Sequence, residues 1–203
     1  MPLNKPRRWL VILALAGGGV GWATWRWYEH RYPTWEEEVQ LSDGRVIVVK
    51  QQREYYDNYG TAQSWLTLSL PELGGERTWH SYLEPMRVDV VEGKVYAFGR
   101  PRGDKQVQHY VYPKQYLVAF VWNGTEFVRV PFMSLPTQAR SSENIFPCLP
   151  PDRSTQLKWP VKEASWCPPS DNKGLLTRKI NLSAYVDLAN EYARRSGGLP
   201  ITD

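Results

Sequence analysis

Cysteine, histidine and methionine are scarce in this 203-residue chain, at two, three and three. So few sulfur and imidazole ligands, with no cluster at zinc spacing, leave no metal or cofactor site to expect. Neither cysteine lies near the amino terminus, which excludes anchoring through an acylated cysteine. A G-x-S-x-G nucleophile elbow is missing as well. Beyond residue 34 the histidines are His80 and His109; Ser81 adjoins His80, but neighbours along a strand point to opposite faces. No catalytic residue is assigned.

An excess of charge in the body of the chain is also lacking. Residues 1–33 hold five of the 25 Lys and Arg and one of the 21 acidic residues, so residues 34–203 carry 20 of each. The net +4 therefore belongs to the amino terminus, and nucleic acid is disfavoured as a partner.

Ionisable side chains are absent from Trp9 to Trp25, WLVILALAGGGVGWATW, which follows the basic Lys5, Arg7 and Arg8. As a helix this run is about 25 Å long, short of the ~30 Å hydrocarbon slab, and Trp9, Trp22, Trp25, Trp27 and Tyr28 suit an interfacial aromatic belt. The segment reads as a single N-terminal transmembrane helix. A cleaved signal, with Trp9 to Ala16 as its apolar core and Gly21-Trp22-Ala23 as its cleavage site, is the alternative. A soluble core helix fits poorly with four glycines among residues 17–21. Basic residues before the run leave the amino terminus in the cytoplasm and export the remainder, predicting a single-pass protein of a bacterial inner membrane with a periplasmic domain. Gly17 and Gly21 stand four apart, the spacing of a close-packed helix pair, and raise a homodimer through the span.

The exported part, rich in Trp, Tyr and Val, predicts a mainly β fold: an antiparallel meander, sandwich or small barrel with one C-terminal helix. In WEEEVQL, Trp35, Val39 and Leu41 share one strand face and Glu36, Glu38 and Gln40 the other. Asp43-Gly44, Glu92-Gly93 and Asn123-Gly124 each separate two alternating runs, as hairpin turns do. Leu66, Leu68 and Leu70 mark a further strand, and Val107 to Tyr112 alternates as one more would. Residues 131–169 hold eight prolines and little alternation, and predict an irregular segment packed on the sheet through Ile145, Phe146, Trp159 and Trp166. Cys148 and Cys167 fall in it, and a disulfide between them would close a loop of about twenty residues, worth ~3 kcal/mol. Ser183 to Ser196 has the three-four apolar rhythm of a helix covering one sheet face or edge. The expected divisions are a cytoplasmic stub at 1–8, the anchor or uncleaved signal at 9–25, a juxtamembrane tether at 26–34, a β-rich domain at 35–132, the Pro-rich segment at 133–180, and helix and tail at 181–203.

Two groups invite a functional reading. Glu36 and Glu38 share a strand face at a separation that paired carboxylates of a glycosidase could use, although a solvated strand face explains them with no site at all. Tyr55, Tyr56 and Tyr59 crowd a polar loop, and tyrosine in such a place either binds something or folds back onto the core. The sequence thus predicts a membrane-anchored, non-catalytic periplasmic binding protein, Tyr55, Tyr56 and Tyr59 meeting an envelope protein partner in assembly or immunity. The alternatives are an envelope hydrolase acting on glycan or peptide through Glu36/Glu38 or His80, and a structural tether within a membrane complex.

Overall fold

Alternation of apolar and polar residues builds two four-stranded antiparallel sheets, each a plain meander. The computed structural model describes residues 22, 24–56, 60–140, 143–147, 156–158, 182–195 and 197. The first sheet runs β1 (Thr34–Gln40), β2 (Val46–Tyr56), β3 (Gly60–Leu70) and β4 (Gly75–Ser81). The second runs β5 (Glu84–Val91), β6 (Lys94–Arg100), β7 (Val118–Trp122) and β8 (Phe127–Val130). Only Tyr82 and Leu83 separate β4 from β5, so the chain turns a tight corner from sheet to sheet. All three expected hairpin turns form. Gly44, Gly93 and Gly124 take positive φ, and Glu92 joins Gly93 in the left-handed region, as a twisted two-residue connection demands.

The sheets face one another across a shared core. Val39, Val49, Leu66, Leu68 and Trp79 from the first sheet meet Val88, Val90, Val95, Ala97 and Val118 from the second. The leucines of β3 lie on the inner face, as their period of two requires. The second sheet is covered on its other side too. Met86, Phe98 and Ala119 pack there with Val107, Tyr112, Tyr116, Leu117, Phe132, Leu135 and Ala189. Every residue of β5 is accordingly buried, and the second sheet is the middle layer of three.

Ala189 brings the C-terminal helix, Leu182–Arg195, into that outer layer, where a sheet-covering helix was expected. The strand expected over Val107 to Tyr112 does not form: Asp104–His109 is a short helix. Gln106 holds this helix through both ends of its amide. Its Oε1 accepts the backbone N–H groups of Arg102 (2.5 Å) and Gly103 (3.0 Å), and its Nε2 donates to Thr61 O (2.8 Å) and Ala62 O (2.6 Å). Buried Val107 and Tyr110 stand three apart, a spacing that shares one helix face but would fall on opposite faces of a strand.

The Pro-rich segment is irregular where it is described. Ile145 and Phe146 are buried, while Trp159 and Trp166 lie outside the described residues. Leu157 adds a short parallel bridge to the edge of β1: its N–H donates to Glu36 O (2.9 Å), and its O accepts from Glu38 N (2.9 Å). Residues 1–21, with Gly17 and Gly21, also lie outside the described residues, as do Cys148 and Cys167. No helix among the described residues is long and apolar enough to cross a membrane. Trp22 and residues 24–31 are helical, and β1 begins three residues later.

Candidate functional site on the solvent face of the first sheet

The outer face of the first sheet carries the side chains that alternate with its core leucines. Trp65 on β3 stands directly opposite His80 on β4. Their rings are nearly parallel, 10° apart with centroids at 5.0 Å, close to the spacing of adjacent strands. Rings stacked this way stand upright on the sheet and turn their edges to solvent. The row continues from His80 to Tyr82 (5.5 Å), from Tyr82 edge-on to His109 (4.8 Å), and from His109 to Tyr110 (4.8 Å). Tyr110 is its buried end: the phenol oxygen accepts the Tyr82 N–H at 3.1 Å, and burial pushes its pKa up to about 12. Tyr82 is 42% exposed, and His80 and His109 are exposed, so both histidines of the body lie in one surface row.

A chain of hydrogen bonds holds this row in place. Glu54, on β2, accepts from Gln63 Nε2 at 2.6 Å and from Arg31 Nη2 at 2.9 Å, with the Tyr32 hydroxyl at 3.4 Å. An ionised carboxylate only accepts, so it fixes the Gln63 amide with Oε1 turned to His80 Nε2, at 2.8 Å. His80 therefore carries its proton on Nε2. Partial burial lowers its pKa, which keeps the ring neutral near pH 7. Burial works to raise the Glu54 carboxyl, but hydrogen bonds from Gln63 and Arg31 and the Arg31 charge outweigh it and hold the group below its usual value.

Glu36 and Glu38 remain two apart on one strand, and the structure separates both from His80. Glu36 and Glu38 lie on β1 and His80 on β4, the two outermost strands of the first sheet. Three strand spacings, about 14 Å, lie between them. Glu38 is bound to Lys158 at 3.0 Å, and Ser81 points inward to Ser64 at 3.2 Å. Tyr55 and Tyr56 end β2 just beyond a register shift at Glu54/Tyr55, away from the aromatic row. Tyr56 is exposed and Tyr55 half-buried; Tyr59 lies outside the described residues. Among the described residues, a hollow is lined by Trp22, Trp25, Arg26, Trp27, Glu29 and His30, all from one exposed helix.

A second polar assembly, passed over in the sequence, lies inside the fold. Glu37, Gln51 and Arg53 all point inward and are fully buried. Glu37 Oε2 accepts the Phe146 N–H at 2.9 Å, and Gln51 Nε2 donates to Glu37 Oε1. Arg53 donates through Nε to Gln51 Oε1 (2.9 Å), through Nη1 to Pro147 O (2.7 Å) and through Nη2 to Phe146 O (2.7 Å), with its guanidinium 5.1 Å over the Trp35 ring. Asn144 donates through Nδ2 to Gln40 O (2.9 Å) and Val88 O (2.8 Å) and accepts from Val88 N (3.1 Å), joining β1 to β5. Nearby, Glu84 takes Arg100 at 2.9 Å and Arg102 at 3.0 Å. Burial would raise Glu84, but the charges of Arg100, Arg102 and Arg53 lower it overall. Glu143 goes the other way: burial pushes it up to about 8, and its Oε1 has no hydrogen-bond partner among the described residues. One carboxyl is thus held ionised and the other neutral within a buried polar layer, while the bonds of Arg53, Glu37 and Asn144 fix residues 144–147. The signal was present in phase: Glu37 shares the face of Trp35 and Val39, and Gln51 and Arg53 that of Val49.

Among the described residues no three His, Cys, Asp or Glu side chains come together as metal ligands would. Comparison with protein-family models, with curated proteins and with solved structures gave no match.

Proposed function

We propose that this chain is a non-catalytic binding protein, held in a bacterial inner membrane by its amino-terminal segment and stapled by a Cys148–Cys167 disulfide in the periplasm. The observation that carries the reading is the Trp65–His80–Tyr82–His109 row on the solvent face of the first sheet. Trp and Tyr dominate the energetic centres of protein interfaces, and a row locked by the Gln63–Glu54 chain gives up little side-chain freedom on binding. Rings stacked on one another offer their edges, which suit a protein partner better than the flat platform a sugar ring stacks on. The hydrolase alternative draws no support from the positions of Glu36, Glu38 and His80.

The test is photo-crosslinking in living cells with p-benzoylphenylalanine in place of Tyr82, and in place of Thr125 in the β7–β8 turn as control. A discrete envelope-protein adduct from position 82, abolished by Trp65→Ala and absent from position 125, supports the reading. Loss of every protein adduct at 82, with the folded chain present in the membrane, contradicts it.

A further inference from the structure

The helix that precedes β1 stands clear of the β domain. All of residues 24–30 are exposed, with Trp22 and Trp25 at 58%, Trp27 at 62% and Tyr28 at 50%. Arg26 lies over the Trp22 ring at 5.3 Å. The charge-free run from Trp9 leads directly into this collar, and bulky aromatics beside a basic side chain are the residues that settle at a lipid headgroup boundary.

The end of this helix is fastened to the sheet. Arg31 Nη2 donates to Glu54 Oε1 at 2.9 Å, and Pro33 O accepts from Arg53 N at 3.1 Å. The pairing of β1 with β2 stops at Thr34 and Gln52, and β2 continues through Tyr56, paired with β3. Four residues, about 13 Å of strand, therefore overhang the start of β1 on the side from which the helix arrives. From Glu54, two strand residues carry the overhang about 7 Å to Tyr56. From Arg31, four residues back along the helix cover about 6 Å and reach Trp27. On a helix that continues the line of β1, Tyr56, 40% exposed, would come level with the aromatic collar.

We propose that the Trp22–Tyr28 collar and the Tyr55–Tyr56 end of the β2–β3 hairpin form one docking surface for a phospholipid interface, which holds the β domain against the bilayer. This rests on the membrane-anchored reading above. It gives Tyr55 and Tyr56 a lipid partner, and places the Trp65–His80 row within reach of proteins embedded in the same membrane.

The full-length chain in native membranes, carrying p-benzoylphenylalanine at position 27, 56 or 46 in turn, tests it. Val46 is 49% exposed and begins β2, about 33 Å from its other end. Tyr56 is exposed, so its replacement leaves the core untouched. Mass spectrometry after irradiation should find phospholipid adducts at 27 and 56, several-fold above position 46. Adducts at 27 alone overturn the docking surface and leave the anchored reading standing. A chain washed from the membrane by alkaline carbonate, with no lipid adduct at 27, overturns both.

Discussion

At the scale of single residues, buried polar groups set the terms. Glu37, Gln51 and Arg53 are in phase with apolar neighbours, and an inward face with three polar members is tolerable because each finds a partner at once. Glu143 behaves differently, neutral because burial has raised it to about 8 against an ordinary value of 4.5. Between those two pH values the folded chain holds a proton that the unfolded chain has released, so stability falls as pH rises through the window and levels off above it. Glu143→Gln keeps the shape and the neutrality. Thermal melts should show the variant above the parent at pH 9, by roughly 5 °C, and within about 2 °C of it near pH 4. Parallel curves across the range would refute this account of Glu143. The sequence exposed the phase of these residues but not their burial. A carboxylate in WEEEVQL reads as wet until the Phe146 N–H is known to meet it, and that contact spans 109 positions of chain.

At the scale of elements, turn chemistry was legible and context-dependent elements were not. Gly44, Gly93 and Gly124 occupy conformations only glycine takes easily, so the three hairpins announced themselves. The short helix at Asp104–His109 did not, because the Gln106 contacts to Thr61 and Ala62 that fix it lie more than forty residues away. Gly99 has a similar hidden duty. A Cβ there would stand 2.4 Å from Glu84 O and 3.0 Å from Leu83 Cβ, where β6 crosses the irregular start of β5. Gly99→Ala should cost on the order of 2 kcal/mol, read as a lower urea midpoint at unchanged slope. An unchanged midpoint would mean that β5 can move away freely. The aromatic row was half legible: Trp65, His80, Tyr82 and His109 are plain in the sequence, but only the β3–β4 register and the corner at Tyr82 set them side by side.

At the scale of the molecule, three layers and one outward face divide the work. The second sheet is covered on both sides and serves stability. Among the described residues the first sheet is covered on one side, and its other face carries the aromatic row and the Gln63–Glu54–Arg31 chain that leads to the amino-terminal helix. In the function we propose, that face meets its partner beside the membrane. The whole account depends on export, and proteolysis of intact spheroplasts tests it most directly. We predict that externally added protease cuts the membrane-bound chain beyond residue 34 without lysis, while a cytoplasmic marker survives. A chain that stays whole until the spheroplasts are lysed would contradict the account at its root.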